Sequence, residues 1–455
     1  MRLLAILGLI LLATPSLADP VDRVILISVD GLRADLLANL LAGDVNGDYA
    51  NFQRLVDEGS ATFNARTDFT HTVTLPNHTS MITGRPVLQP VGQPVTVHHG
   101  YTSNSTPQPT DTLHNVGNPG VSYIASVFDV AHDHGLSTAL YASKSKFVIF
   151  DQSYDALSGA PDVTGPDNGP DKIDTFLTVS SGSPSNAAPM QASFMADLAT
   201  DPAQFNFVHY RDPDSAGHAF TWGSAAWNNS VKAVDGYLGE LLDFVDANPV
   251  LMGRTVIILT TDHGGTAYGH NNAADPRMYM IPFFVWGAGV AVGGDLYGLN
   301  PGRLNPGVGR PDYNAVAPIR NGDSGDLALS LLGLPAVAGS SIGAAQDLGV
   351  TAPVSSVPDS SEPEQLALTA YPNPFNPTTK IVFELPRAEK ASLRIYDMGG
   401  RLVRDLISDN ILNAGQHAAV WRGDDEAGNV VAAGLYFYRL EAGKVSETKR
   451  VVLLK

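Results

Sequence analysis

Arg23-Val24-Ile25-Leu26-Ile27-Ser28-Val29-Asp30-Gly31 is the stretch whose reading decides the fold. Five of its first seven residues are Val, Ile or Leu, and the run stops at a carboxylate and a glycine. A short apolar run closed by a turn signal reads as a strand buried on both faces. Two later runs have the same build: Phe205–Tyr210 (FNFVHY) and Thr255–Leu259 (TVIIL). Ser137–Ala142 and Pro282–Trp286 read as further strands. Between them lie helical patterns at Asp35–Leu41 and Phe52–Glu58. A longer helical pattern, Ser224–Asp246, carries Trp227, Val231, Val234, Leu238, Leu241, Leu242 and Val245 at helical spacing. Short buried runs alternating with helices predict an α/β domain with a mostly parallel sheet. Ligands of such sheets bind beyond the carboxyl ends of the strands.

The chain has 455 residues, too many for one ordinary core, so at least two domains are expected. Thr351–Gln365 (TAPVSSVPDSSEPEQ) lacks hydrophobic periodicity and reads as an extended linker. It separates a large domain, residues 19–350, from a small one, residues 366–455. In the small domain, Lys380–Leu385, Ala391–Asp397, His417–Trp421 and Gly434–Leu440 are short strand patterns separated by glycine-rich turns, which predicts an antiparallel β-sandwich. At the other end, Arg2, the apolar run Leu3–Ala13 and Ser16-Leu17-Ala18 read as a signal peptide over residues 1–18. The expected mature chain is exported and has no membrane-spanning segment; retention of residues 1–18 as a membrane anchor is the alternative.

A formal net charge of -18 argues against binding of nucleic-acid polymers. Bound cations would still let so acidic a protein handle phosphate esters. The chain has no cysteine, which excludes disulfides and any cysteine-derived nucleophile.

Four segments hold residues with chemistry to offer. The first strand delivers Asp30. Phe205–Tyr210 leads to Asp214 and His218, four residues apart; Thr255–Leu259 leads to Asp262-His263, with His270 seven residues on. Thr74-Leu75-Pro76-Asn77-His78 opens a helix that Gly84 closes, because proline suits a first turn and glycine a C-terminus. Thr74 would sit just before the helix N-terminus, where backbone N–H groups favour an oxyanion or a phosphate. Three strands thus bring Asp and His to one edge of one sheet, and mixed Asp/His sets are suitable zinc ligands. Read singly, each element has an ordinary explanation: a turn, a pair of surface neighbours on a helix, or a helix entry.

Together VILISVDGLRADLL, TLPNHTSMITG, HHGYTSN, DPDSAGH and TTDHGG resemble the alkaline phosphatase superfamily, and within it the type I phosphodiesterase/nucleotide pyrophosphatase group. The resemblance covers most of residues 21–345 and implies an alkaline-phosphatase-like sheet flanked by helices. It implies a phosphoric ester hydrolase with two zinc ions, manganese being the alternative, acting on a small phosphate ester or nucleotide. Asp30, Thr74, Asp262 and His263 would surround one ion; Asp214, His218 and a third histidine would hold the other. After His263 only His270 and His417 remain, and His417 lies in the C-terminal domain, so His270 is the expected ligand. Many relatives place this histidine much farther along the chain. Thr74 would be the nucleophile and form a phospho-threonine intermediate.

Asn104 matches the phosphate-binding asparagine of the pyrophosphatases, at a longer distance from Thr74 than is usual there. Lys144-Ser145-Lys146 is similar to a Lys-Xaa-Arg pair of some bacterial alkaline phosphatases. If Lys144 reaches the site, a phosphate monoester becomes a credible substrate; if not, it is a solvated lysine after a strand. Sulfate ester hydrolysis is disfavoured because a threonine stands where sulfatases carry a Cys or Ser that becomes formylglycine. A non-catalytic surface-binding protein is the remaining alternative.

Two acidic loops, Asp44–Asp48 and Asp167–Asp171, have calcium-like spacing but read as ordinary turns. Tyr371-Pro372-Asn373-Pro374-Phe375-Asn376-Pro377, Trp421 and Gly434-Leu435-Tyr436-Phe437-Tyr438 resemble FlgD-like immunoglobulin and type IX secretion-sorting domains. That resemblance implies secretion or surface attachment, with export machinery as a partner.

Overall fold

In the computed structural model the described residues are 21–165, 169–179, 186–351, 368–385, 389–413, 415–443 and 445–454. The expected signal peptide, nearly all of the expected linker and part of the second acidic loop lie outside them. The chain divides into two compact units, residues 1–354 and 355–455.

The larger unit is built on one eight-stranded sheet. Its strands are β1 (Arg23–Val29), β2 (Ser60–Arg66), β3 (Thr138–Ala142), β4 (Thr175–Thr178), β5 (Phe205–Tyr210), β6 (Thr255–Thr260), β7 (Met280–Gly287) and β8 (Gly294–Asp295). Their order across the sheet is β4-β3-β5-β1-β6-β7-β2-β8. β7 pairs antiparallel with both β6 and β2; every other pairing in the sheet is parallel. β1 is buried along its whole length, as its unbroken apolar run requires. Its register sets Val29 opposite Tyr210 of β5 and Ser28 opposite Thr260 of β6. All three strands therefore end at the same edge.

Alternation along β1 divides the core into two layers. Val24 and Leu26 face a cluster with Leu75, Met81, Phe128, Phe150 and Leu327. Ile25, Ile27 and Val29 face the other, with Leu37, Phe52, Phe194 and the long helix Ala225–Ala247. That helix buries all seven apolar residues at its helical spacing. Each contributes about 1.5–3 kcal/mol of transfer free energy. Ser224 caps it by accepting the Trp227 N–H at 3.2 Å. Its buried Asp235 accepts the N–H groups of Asn51 (3.0 Å) and Phe52 (2.8 Å) and so fixes the start of helix Ala50–Glu58.

Asp326, in helix Asp323–Leu331, is buried and accepts the Val337 N–H at 2.7 Å. Burial pushes its carboxyl from 3.8 up to about 6. A raised carboxyl favours folding in its protonated form, so this contribution is full below the ordinary carboxylate range and is lost as pH rises through about 6. Asp326→Asn keeps the acceptor and removes the titration. Thermal melts should show the variant above wild type by about 3 kcal/mol at pH 8 and level with it at pH 4. Equal offsets at both pH values would contradict the assignment.

The smaller unit contains β9 (Leu368–Tyr371), β10 (Thr379–Leu385), β11 (Glu389–Tyr396), β12 (Leu402–Leu412), β13 (Gly415–Trp421), β14 (Gly434–Ala442) and β15 (Val445–Leu453). They form two antiparallel sheets, β13-β10-β9 and β12-β11-β14-β15. Leu393, Tyr438, Phe375 and Trp421 lie in one core, as the two faces of a sandwich do. The Trp421 indole N–H finds the Asp424 carbonyl at 2.9 Å.

Candidate active site

The edge where β1, β5 and β6 end carries Asp30, Asp214, Asp262 and His263, all buried. Backbone contacts lock them together. The Asp30 N–H extends the sheet ladder to the Tyr210 carbonyl (2.8 Å), and the Asp214 N–H donates to the Asp30 carbonyl (3.0 Å). Gly31 turns the chain with φ +72°, and a Cβ there would lie 2.8 Å from the Asp214 Cα. Only glycine lets helix Asp212–Phe220 approach β1 so closely.

Each of the three carboxylates has one oxygen held and one bare. Asp30 Oδ2 is held by Lys144 Nζ at 2.6 Å and His209 Nε2 at 3.0 Å. The same lysine holds Asp214 Oδ2 at 2.6 Å. Asp262 Oδ1 accepts the N–H groups of His263 (3.0 Å) and Gly31 (3.2 Å). The opposite oxygens, Asp30 Oδ1, Asp214 Oδ1 and Asp262 Oδ2, are buried without a hydrogen-bond partner, and so is His263 Nε2. These bare atoms converge: His263 Nε2 lies 3.5 Å from Asp30 Oδ1 and 3.2 Å from Asp262 Oδ2.

Two groups of ligand atoms result, one from Asp30, Asp262 and His263 and one from Asp214, His263 and His270. His218 joins the second. Its Nε2 is 3.3 Å from Asp214 Oδ1 and 3.1 Å from His270 Nε2, and the last two are 3.6 Å apart. The His263 and His270 rings stack at 3.6 Å. A buried polar atom left unpaired costs about 1–3 kcal/mol, more when charged. Bare carboxylate oxygens and imidazole nitrogens aimed at one another make a donor set that fits cations.

Charge follows the same plan. Burial works to raise Asp30, but Lys144 and His209 overrule it and hold the carboxyl well below its ordinary value. Burial and the charge of Asp30 would likewise raise Asp214; Lys144 and His218 hold it low. Burial, then Asp30, pushes Asp262 well above its ordinary value. Burial brings His263 down to about 3 and His209 down to about 4, so both rings are neutral at pH 7, the state a ligand or an outer hydrogen-bond donor requires.

Thr74 is the first residue of helix Thr74–Thr83 and is buried. The preceding loop is tied to the cluster by His270 Nδ1, which donates to the Thr72 carbonyl at 2.6 Å. Asn77 draws in the same loop through the carbonyls of His71 (2.9 Å) and Val73 (3.1 Å). Asn104 Oδ1 accepts both the Leu75 N–H (3.0 Å) and Lys146 Nζ (2.8 Å). Its amide hydrogens are thereby turned away from these partners and are available to an anion. Burial and then Lys144 bring Lys146 down to about 8.

The structure therefore brings together Asp30, Asp214, His218, Asp262, His263 and His270, with Thr74, Asn104 and Lys144 beside them. Of the two readings of Lys144, the structure favours the one in which it reaches the site: its half-buried ammonium lies 2.6 Å from both Asp30 and Asp214. The first acidic loop is an ordinary turn: Asp44 accepts the N–H groups of Asn46 (3.2 Å), Asp48 (2.9 Å) and Tyr49 (2.8 Å). Sequence reasoning missed His209, His78 and Trp222. His209 is a polar residue in a buried strand run, which was a usable signal. His78 donates from Nδ1 to the Thr74 carbonyl (2.8 Å) and meets Ser28 Oγ at Nε2 (2.8 Å).

A mostly parallel sheet with such an edge, beside a helix led by threonine, defines the class of fold. Residues 24–275, just over half of the chain, match the type I phosphodiesterase/nucleotide pyrophosphatase family, and the chain belongs to it. Residues 372–446 match the FlgD Ig-like domain. GPI ethanolamine phosphate transferase 1 of Mus musculus is 27% identical over 285 residues, 60% of this chain and 27% of that protein. Its counterpart in Saccharomyces cerevisiae is 26% identical over 281 residues, 61% of this chain and 28% of that protein. The chain thus spans about a quarter of the length of these curated relatives. Among solved structures, murine ectonucleotide pyrophosphatase/phosphodiesterase 5, in an inactive form with AMP, aligns with a TM-score of 0.46 and 15% identity, covering 69% of this chain and 96% of that one. Among the described residues no helix is long and apolar enough to cross a membrane.

Proposed function

We propose that this chain is a metal-dependent phosphoric ester hydrolase acting through Thr74, with phosphate diesters or pyrophosphates as its first substrate class. The observation that carries the reading is the convergence of bare, buried ligand atoms from Asp30, Asp214, Asp262 and His263 beside the helix that Thr74 begins. Asp30, Thr74, Asp262 and His263 would hold one ion and Asp214, His218 and His270 the other, zinc being favoured by the ligand types and manganese the alternative. When bound, the ions supply Lewis acidity that lowers the pKa of a hydroxyl and offsets charge on phosphoryl oxygens.

The chain's own residues do the rest. The Thr74 hydroxyl gives up its proton to solvent, Oγ1 attacks phosphorus in line, a P–O bond to Thr74 forms, and the bond to the leaving oxygen breaks. Asn104 donates its amide hydrogens to a phosphoryl oxygen, while Leu75 N–H and Lys146 hold its carbonyl in place. Water then attacks the phosphoryl-threonine, which for a diester still carries the second ester group, and releases the phosphate monoester as it returns the Thr74 hydroxyl. The intact ligand set and nucleophile speak against a non-catalytic surface protein. We read residues 1–18 as a signal peptide, residues 351–365 as a linker and the C-terminal domain as serving export or surface attachment.

A second reading, phosphate monoester hydrolysis, is favoured by one observation: Lys144 and Lys146 are both at the site. A monoester dianion has one more charged oxygen than a diester to satisfy. Turnover of bis(p-nitrophenyl) phosphate beside p-nitrophenyl phosphate by zinc-reconstituted protein separates the two. The diester is expected to be the faster, with Lys144→Ala affecting both alike. A faster monoester whose advantage disappears in Lys144→Ala would install the second reading. Group transfer to an added alcohol in preference to water would instead ally this chain with the transferases it resembles.

A further inference from the structure

We propose that Trp222 is a positioning residue that holds His218 and His270 as one ligand pair; the inference rests on the reading of the cluster as a cation centre. These two histidines come from different segments: His218 near the end of helix Asp212–Phe220, His270 at the end of the loop after His263. That loop, Gly264-Gly265-Thr266-Ala267-Tyr268-Gly269, has three glycines and no core residue of its own apart from what its neighbours provide. Something outside it must decide where His270 stands.

The indole of Trp222 meets every part. Its Nε1–H donates to the Gly31 carbonyl at 2.9 Å, at the turn that follows Asp30. Its ring stands edge-on to His218 at 5.4 Å and to His270 at 6.1 Å. A Cβ on Gly217 would lie 2.6 Å from the indole, and one on Gly265 2.2 Å, so the ring lies directly against two glycine backbones. Between these faces Trp222 is 6% exposed. A residue of this size so enclosed at one spot cannot be moved without moving both histidine segments.

Backbone geometry supports the same role. Thr221, just before it, has φ 71° and ψ 147°, a region essentially reserved for glycine. Ala267, on the facing loop, has φ 47°. The two meet where the Trp222 N–H donates to the Ala267 carbonyl at 3.3 Å. His218 Nδ1 then donates to the Tyr268 carbonyl at 2.8 Å, which leaves its Nε2 for the centre. Unfavourable conformations at facing positions are retained where the surroundings over-determine them, and here what they determine is the placement of the indole. The rings that Trp222 meets are those of His218 and His270, so its effect falls chiefly on the ion these two hold.

The test is zinc titration of full-length wild type, Trp222→Phe and Trp222→Ala against a chromophoric chelator, with tryptophan fluorescence followed in parallel. Wild type should bind two ions, and a fluorescence change should accompany the weaker-held one. Trp222→Ala should weaken that ion by about 10–100-fold, the range seen when a partner that orients a ligand is removed, and the other ion by much less. Trp222→Phe keeps a ring but loses the bond to Gly31; it should weaken the same ion by a smaller factor and lose the fluorescence change, although three other tryptophans remain. Should the alanine variant fail to fold, the phenylalanine variant decides by these two readouts. Wild-type affinities in the variants would overturn the role of Trp222 and leave the cation reading standing. A wild type that binds no zinc would overturn both.

Discussion

Thr74→Ala should lower turnover at least about a thousandfold, a loss of roughly 4 kcal/mol of transition-state stabilisation. The threonine hydroxyl is the nucleophile in the proposed reaction, and no neighbour offers a replacement: His78 is spent on the Thr74 carbonyl and Ser28, and there is no cysteine. Stability should hardly change, because Thr74 makes no side-chain cap; the residue before the helix is Val73, in extended conformation. At saturating zinc Asp30, Asp262 and His263 still hold the ion without Thr74, so a folded variant with near wild-type zinc content and turnover lost would show a chemical effect. Thr74→Ser should retain part of the rate, since it keeps the hydroxyl. Acid quenching of wild type during turnover of a diester should leave its phosphoryl group, one ester still attached, on the peptide that contains Thr74. A Thr74→Ala protein that turns over at more than a tenth of the wild-type rate would remove Thr74 from the mechanism.

Chelation should have the second large effect, on folding as well as on rate. Without cations, Asp30 and Asp214 share the one charge of Lys144, and four buried ligand atoms have no partner. A cation present at a thousand times its dissociation constant stabilises the folded state by about 4 kcal/mol. For a unit of this size that corresponds to roughly 5–10 °C in melting temperature. Treatment with a strong chelator should lower the melting temperature by that amount and abolish turnover, and added zinc should restore both. Asp262→Asn should shrink the zinc-dependent part of the melt, since it replaces one of the bare oxygens. A melting temperature indifferent to chelator and zinc would mean that the cluster does not hold a cation.

Much of this could be read from the chain before any coordinates. β1, β5 and β6 announced themselves because a strand buried on both faces must be apolar without interruption. Their turn residues then put Asp30, Asp214 and Asp262 at one edge. The strands at the β8 side of the sheet were harder: Ser60–Arg66 mixes polar and apolar residues, and Gly294–Asp295 is too short to carry a pattern. His209 and Trp222 were missed for another reason. His209 matters because the register of β1 and β5 sets it opposite Ser28, one residue short of the edge, where its ring reaches Asp30. Trp222 matters through two glycine backbones and two rings from two segments, Gly217-His218 on one helix and Gly265 to His270 on a distant loop. Proximity of that kind is created by packing and leaves no local trace.

The two ligand groups rest on unlike supports. Asp30, Asp262 and His263 are fully buried and follow strands in the middle of the sheet, whereas the His218 side chain is 45% exposed and His270 ends a glycine-rich loop. Local opening of a protein begins where buried apolar contacts are few and reaches central strands only with the whole unit. An ion held by the second group could thus be exchanged with the surrounding solution by a loop excursion, while one held by the first would be released on the timescale of unfolding itself. A single edge would then carry a resident ion beside a replaceable one, and the medium outside the protein would set the occupancy of only one of them.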